Sequence, residues 1–426
     1  MKSVGKIFFR SVLFSTTVAG CHFIDLGNDL EEMNNFFAIN GTIVQENPGD
    51  NPVAVALFSD ALESEQLLDT KLIESSTFRF DVTPGDYFIF AFEDLNRDSH
   101  YQSDEPAGFY GNPSAITIEA DSGETAIDVA LREDLEFPDI NQDSSMFSGL
   151  DDKAFPKLWR GRTNIGEVAT LDDQKFDPTI GKMGMWEPLR FSKEIGPGIF
   201  LLEPYDPQKI PVLFVPGIGG SPRVWRKIID SLDRQHFQPW VFSYASGLPL
   251  EASADYLFEA LTQLWIERDF DNLYLVAHSM GGLVAQAFIN RDHTSISRYL
   301  SLFVTLATPW DGHSAAQIGL NLAPAIIPVW RDIVPGSPSL GKLNNKPLPD
   351  DLPYHLLFAH GGGDGFPGSA PNDGTVTIAS QLNDAAKKRA QGVYGFDTNH
   401  MGIVSDDSAI QLLNDLLEQA HQRTAQ

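Results

Sequence analysis

Two rhythms of hydrophobic and polar positions divide this chain. From about residue 35 to residue 131 the apolar runs are short and separated by turn signals. Thr77-Phe78-Arg79-Phe80-Asp81-Val82 alternates strictly, which places Phe78, Phe80 and Val82 on one face of a strand. Thr83-Pro84-Gly85-Asp86 reads as a turn and Tyr87 to Phe92 as the return strand. Pro52 to Phe58, Ala115 to Ile118 and Ala126 to Leu131 add further short strands, and the set predicts a small β-sandwich over residues 35–131. An acidic stretch containing Ser and Pro, residues 132–160, reads as a linker, with no internal repeat on either side. From about 161 to 424 the rhythm changes to solid apolar runs, two of which lead through a Gly-containing corner into a helical periodicity.

The second of these corners is the more informative. Leu273 to Ala277 is followed at once by His278-Ser279-Met280-Gly281-Gly282 and then by the helical pattern Leu283 to Phe288. Strand, one-residue corner and helix is the arrangement that lifts a serine hydroxyl clear of a parallel sheet. The corner is strained, so its flanks must be small, as Ala277 and Gly281 are, and Gly282 lets the helix lie close on the strand. The first corner follows Ile210 to Val215 and runs Pro216-Gly217-Ile218-Gly219-Gly220-Ser221 before a helical pattern from Pro222. It lacks the G-x-G-x-x-G spacing of a dinucleotide site. Acyl transfer builds negative charge on a carbonyl oxygen, and fixed N–H donors stabilise it. The candidates for those donors are the backbone N–H groups of Ile218 and Met280.

An acid and a histidine follow in the order Ser…Asp…His. The apolar run Tyr354 to His360 precedes a Gly-rich loop holding two candidate acids, Asp364 and Asp373. Asp373 is favoured because the stretch after it, Thr375-Val376-Thr377-Ile378, resembles the one that follows the triad acid in the α/β-hydrolase family. His400 stands just before Met401, Ile403, Val404 and the last helical pattern. In these roles His400 takes the proton of Ser279 and Asp373 holds the imidazole in one tautomer. No His-Glu-x-x-His and no paired cysteines suggest a catalytic metal, so catalysis is expected to need no cofactor.

With these motifs the chain resembles the α/β-hydrolase family, in its lipase and esterase branch. The resemblance rests on Val215 to Gly220, Ala277 to Gly282, Leu306-Ala307-Thr308-Pro309, Asn372 to Val376 and Asn399-His400, and spans about Asn164 to Gln419. It implies an α/β fold, a mostly parallel sheet flanked by helices, and a serine hydrolase acting on carboxylic esters. Two departures stand out: many lipases carry His where Pro216 stands, and the first small residue of the corner is Ala277 rather than Gly. Other acyl-group chemistry on the same triad stays open: phospholipase, thioesterase, amidase or acyltransferase. So does a non-catalytic envelope binding protein, since fold does not fix function.

Residues 310–349 are too long and too apolar for a plain sheet–helix connection, and prolines break them. They read as a helical lid over Ser279, lined by Ile318, Leu320, Leu322, Ile326, Ile327 and Trp330, with an extra core-packing helix pair that has no role at the site as the competing reading.

The N-terminus bears on location. Lys2, Lys6 and Arg10 precede a short apolar stretch, Ser11 to Ala19, far below the roughly 20 residues that span a bilayer. Small residues then lead to Cys21, the single cysteine of the chain. Residues 1–20 are expected to be a removable signal. Val18-Ala19-Gly20-Cys21 resembles the bacterial lipobox, which implies a diacylated Cys21, a tether over 21–34 and a lipid-anchored envelope protein. His22 stands where an Asp retains many lipoproteins at the inner membrane, so the resemblance points to the outer one. The chain carries 30 Lys+Arg against 58 Asp+Glu, and loss of residues 1–20 moves its net charge from −28 to −31. Such a charge disfavours nucleic acid and anionic membrane surfaces as partners; the resemblances imply an ester or lipid substrate and a membrane reached through the lipid on Cys21.

The β-sandwich looks like the prealbumin-like or carboxypeptidase-regulatory-like modules of secreted proteins. One of its loops has Asp94, Asn96, Asp98 and Glu105 at the spacing of a calcium loop, with Ser99 in place of the turn glycine. Those oxygens suit calcium; an Asp/Asn-rich turn in an acidic protein is the competing reading.

Overall fold

The computed structural model describes residues 23–45, 51–59, 67–73, 76–96, 101–102, 104–111, 114–120, 124–133, 164–362 and 370–424. The chain divides into two compact units, one of residues 30–165 with 259–269, the other of residues 1–29, 166–258 and 270–426. The signal stretch, Cys21 and nearly all of the linker lie outside the described residues. Residues 23–33, expected as a tether, form a helix with Leu26 fully buried.

The first unit carries β1 (Phe37–Val44), β2 (Val53–Ser59), β3 (Leu67–Ile73), β4 (Thr77–Val82), β5 (Gly85–Glu93), β6 (Ala107–Phe109), β7 (Ile116–Ile118) and β8 (Thr125–Ala130). They form a sheet β4-β1-β8 and a sheet β3-β2-β5-β6 with β7 on β5. The alternation of β4 does what its period requires: Phe78, Phe80 and Val82 are buried while Thr77, Arg79 and Asp81 are exposed. Their side chains meet Ile39 from β1, Val55 and Ile89 from the other sheet, and Ile127 from β8, in one core. β1 and β3 carry no clear alternation. In β1, Gly41 stands opposite Phe78, and a Cβ on it would lie 1.9 Å from the Phe78 ring. The aromatic ring occupies the place of the missing side chain.

The second unit is an α/β domain built on one mostly parallel sheet. Its eight-stranded sheet runs β16-β15-β14-β13-β11-β12-β10-β9. The strands are β9 (Asn164–Val168), β10 (Gly198–Leu201), β11 (Ile210–Val215), β12 (Phe237–Ser243), β13 (Leu273–His278), β14 (Leu300–Leu306), β15 (Tyr354–Ala359) and β16 (Gly392–Phe396). β12, β11, β13, β14, β15 and β16 are parallel; β10 is antiparallel to β12. Parallel neighbours need crossover helices, which cover both faces of the sheet. That is why β13 reads as a nearly solid apolar run, and why β12, Gln238 and Ser243 included, and β13 are buried at every residue. The last helix, Asp407–Thr424, seals one face with Leu413, Leu416, Leu417 and Ala420. From β11 the chain passes to β12 on one side, and later to β13 on the other. The crossovers diverge at the carboxyl ends of β11 and β13, where such sheets open a crevice.

Phe80 is a fully enclosed anchor of the first unit, 1% exposed. Phe80→Ala should therefore cost about 3–5 kcal/mol of unfolding free energy, read by guanidinium denaturation of the full chain. A loss below about 1 kcal/mol would mean that the two sheets share no close-packed core.

Candidate active site

At the carboxyl end of β13 the backbone turns through Ser279 into the helix Met280–Ile289. Ser279 has φ 54° and ψ −131°, a conformation that non-glycine residues rarely adopt. It persists because everything around the corner is small. A Cβ on Gly217 would lie 2.8 Å from the Ser279 Cβ, one on Gly281 2.5 Å from the Val215 carbonyl oxygen, and one on Gly282 2.0 Å from Thr308 Oγ1. The Ser279 N–H donates to the Leu306 carbonyl at 2.8 Å, and its carbonyl accepts from Gly282 N–H at 2.9 Å. Sheet and helix together hold the hydroxyl in place.

His400, from the loop after β16, points its Nε2 at Ser279 Oγ, 2.8 Å away, and its Nδ1 at Asp373 Oδ2, 2.7 Å away. A carboxylate only accepts, so Nδ1 carries the proton and Nε2 is free to accept from the serine hydroxyl. All three side chains are buried. The structure brings together the serine, acid and histidine that the sequence order singled out; the competing acid, Asp364, lies outside the described residues.

Asp373 is fully buried and its carboxylate is saturated. Oδ1 accepts from Thr375 N–H at 2.9 Å and Val376 N–H at 2.7 Å; Oδ2 accepts from His400 and from Gln381 Nε2 at 3.0 Å. Burial pushes its pKa up, but the His400 contact and the two amides outweigh burial and hold it below the ordinary carboxylate value. Gln381 in turn exchanges hydrogen bonds with both backbone groups of Ala359, at the end of β15. Nothing in the motif reading singled out Gln381; its position eight residues after the acid carries no recognisable signal.

The Gly-rich loop after β11 lies beside the serine. Its support comes from the segment after β12. Tyr244 Oη donates to the Pro216 carbonyl at 2.9 Å, and Ser246 Oγ accepts from Gly219 N–H at 2.9 Å. Gly220 N–H is engaged by the Gly217 carbonyl. A tyrosine thus braces the carbonyl of Pro216. Ile218, Met280, Ser279 and His400 all line one cavity of about 650 Å³. Its apolar wall includes Met185, Val224, Trp330 and Ile333.

Between β14 and β15 the insertion forms helices Ser314–Leu322, Trp330–Ile333 and Pro338–Asn345. It borders the cavity, but by a different face than its apolar pattern suggests. Ala315, Ala316, Trp330 and Ile333 line the cavity, whereas Ile318 is 60% and Leu322 78% exposed. Gly319 lets this helix pack closely on Trp330, since a Cβ there would lie 2.4 Å from the ring, while Ile318 and Leu322 stay outside that contact. Ile327 is fully buried, and of the expected lining residues Trp330 reaches the cavity.

In the calcium-like loop, Glu105 accepts Leu95 N–H on one oxygen and Gln102 N–H on the other, both at 2.9 Å. Its carboxylate closes the turn; Asp94 is fully buried, Asn96 Nδ2 donates to Gln102 Oε1 at 3.3 Å, and Asp98 lies outside the described residues. Among the described residues, the one group of potential metal ligands is elsewhere, at Asp233, His236 and Glu418.

Known proteins are similar to this part of the chain. Residues 212–359 match the model of the alpha/beta hydrolase family. A stretch of 124 residues, 25% of this chain, is 32% identical to a putative GPI inositol-deacylase C of Yarrowia lipolytica, and the chain spans about 15% of that relative's length. The solved structure of the mature lipase BlEst2 of Bacillus licheniformis is similar at 20% identity and a TM-score of 0.41, over 51% of this chain and 97% of that one. A metagenomic carboxyl esterase is similar at 14% identity and a TM-score of 0.37, over 51% of this chain and 76% of that one.

The Asp373 contacts carry a pH signature. Its folded pKa lies below the ordinary aspartate value of 3.8, so the stabilisation is present above about pH 4 and is lost as pH falls through the lowered folded value. Asp373→Asn should lower unfolding free energy by roughly 1–3 kcal/mol at pH 7. The gap from the unsubstituted protein should shrink as acid is added below pH 4, as read by denaturant melts across pH. A gap that stays constant with pH would refute the assigned contacts.

Proposed function

From the premise that the chain carries a domain of the α/β hydrolase family, we propose that it is a serine hydrolase cleaving carboxylic esters, lipase- or esterase-like. The observation that carries this reading is the continuous hydrogen-bond chain Ser279–His400–Asp373 at a strained corner beside an apolar cavity. Ser279 Oγ attacks the ester carbonyl while His400 Nε2 takes its proton. The tetrahedral oxyanion turns to the N–H groups of Ile218 and Met280. The choice of Ile218 is supported by its neighbours, since Gly219 and Gly220 N–H already donate elsewhere. Collapse expels the alcohol, which receives the proton from His400, and leaves an acyl-Ser279. Water then enters, gives a proton to the same nitrogen and releases the acid. Asp373 stays ionised throughout and stabilises the imidazolium. The chemistry draws on protein groups alone and needs no ion from the Asp94–Glu105 loop.

The cavity favours an apolar acyl group over a charged one, and a relative named as a deacylase is consistent with acyl-ester cleavage. Phospholipase, thioesterase, amidase and acyltransferase chemistry would use the same groups. A fluorophosphonate should label Ser279 alone, and Ser279→Ala should abolish both labelling and ester hydrolysis. Asp373→Asn should cut turnover on the order of 10⁴-fold by mis-setting the His400 tautomer, while Asp364→Asn should be mild. Labelling that persists without Ser279 would put the nucleophile elsewhere and end this reading; an unsubstituted protein that takes no label and cleaves no ester would favour a non-catalytic envelope protein.

The proposal places the enzyme in a bacterial envelope, tied by lipid on Cys21, at the outer membrane where there is one. The support is the N-terminal sequence: a basic start, a short apolar core and small residues ahead of a single cysteine. No helix among the described residues is long and apolar enough to cross a membrane. One acyl chain holds a protein only marginally, whereas two hold it stably, so a diacylated cysteine suffices. The mature chain should begin at Cys21 and fractionate with membranes, and Cys21→Ser should release it with its hydrolase activity intact. A Cys21→Ser protein that still sediments with membranes would exclude lipid anchoring.

A further inference from the structure

We propose that His278 is a positioning residue that ties the backbone of the catalytic base to the backbone of the nucleophile. The proposal rests on the Ser279 reading above and deepens it. His278 is the last residue of β13 and the chain neighbour of Ser279, and it is 2% exposed. Its Nε2 lies 2.9 Å from the carbonyl oxygen of His400. A carbonyl only accepts, so Nε2 carries the proton and donates it. The His400 ring lies 4.9 Å from the His278 ring, and Trp225 meets His278 edge-on at 6.3 Å. The consequence is a closed loop of constraint. The imidazole of His400 reaches the side chain of Ser279, while the carbonyl of His400 is held by the residue before Ser279. On its other side, His400 N–H donates to the Asp373 carbonyl at 2.8 Å. The backbone of the base is therefore held on both sides, its N–H by the carbonyl of the acid and its carbonyl by the residue before the nucleophile.

This pinning matters because His400 belongs to a loop and Ser279 does not. Loops move more than the sheet they join. A displacement of the reacting atoms by about 1 Å costs on the order of 100-fold in rate. The tether converts the position of a loop residue into a property of β13. It also carries no charge. Burial, and next the adjoining His400, push the His278 pKa down to about 3, so it stays neutral near pH 7. A cation there would oppose the imidazolium that His400 becomes during each half-reaction. The strand end thus combines a buried donor with electrical neutrality, which neither a leucine nor a lysine supplies.

The test compares His278→Leu, which removes the donor at similar volume, with His278→Gln, whose amide N–H reaches the same carbonyl. With a soluble short-chain ester, His278→Leu should lower kcat roughly 10- to 100-fold with KM little changed, and slow fluorophosphonate labelling of Ser279 by a similar factor. His278→Gln should recover most of the loss. A low-field proton resonance from His400 Nδ1–H should shift or broaden in the Leu variant and return in the Gln variant. A Leu variant with unsubstituted kcat overturns the proposal, as does a Gln variant as slow as the Leu variant. Should the Leu variant fail to fold, His278→Asn takes its place, because its shorter amide stops short of the carbonyl; equal rates for Asn and Gln overturn the tether. If Ser279→Ala retains activity, the hydrolase reading itself fails. If Ser279 is labelled and His278→Leu is unimpaired, only the tether fails.

Discussion

The corner at Ser279 is the constraint on which the rest of the site depends. A serine at φ 54° and ψ −131° carries roughly 1–3 kcal/mol of backbone strain, and such strain survives only where surrounding structure over-determines it. Here the surroundings are β11, β13, β14 and the helix that begins at Met280. Gly217, Gly281 and Gly282 leave no room for a side chain, because the neighbouring backbone or side chain already fills it. The parallel sheet supplies the rigidity and the glycines supply the closeness. Released, the corner would let Ser279 relax toward ordinary strand or helix geometry, and its hydroxyl would leave the reach of His400.

The electrostatic half of the site follows from how Asp373 is satisfied. A carboxylate with no solvent contact is costly unless each oxygen finds donors. Two amides, one side-chain amide and one imidazole meet that need, and three of the four come from its own loop and the short helix Ile378–Gln381. That helix is also tied to the insertion. Ser380 Oγ donates to the Gly312 carbonyl at 2.7 Å, and Asp311 N–H donates to the Ser380 carbonyl at 3.3 Å. The acid loop and the first residues of the insertion are therefore one hydrogen-bonded assembly. Any movement of the insertion at its root would be felt at Gln381 and, through it, at Asp373.

The insertion departs from its own apolar pattern. Read by hydrophobicity alone, Ser314–Leu322 should turn Ile318 and Leu322 toward the cavity. In the structure Ala315 and Ala316, in the first turn, line the cavity and Gly319 seats against Trp330, while Ile318 and Leu322 are exposed. The outcome is a cavity bounded by small side chains on that wall and by Trp330 and Ile333 behind them. The apolar pair left outside is a property of this arrangement.

The sequence by itself determined the fold class, because period and corner chemistry are local. Alternation in Thr77–Val82 reads as a half-buried strand, and the short apolar runs at 210–215 and 273–277, each ending in a Gly-containing corner, read as strands covered on both faces. The order of Ser279, Asp373 and His400, together with the glycines of the two corners, was likewise legible, since each meets a steric or protonic need within a few residues. Tertiary structure alone decided what depends on distant neighbours. Gln381 and His278 are ordinary letters in the chain; they matter because folding brings one to the acid and the other to a carbonyl 122 positions away. Tyr244 braces Pro216 across 28 positions. The face of Ser314–Leu322 was set by tertiary packing, and the strand at Phe37–Val44 by the ring of Phe78 above Gly41. Local pattern specifies which way a residue can point along its own element; only the packed partner specifies which of those directions is filled.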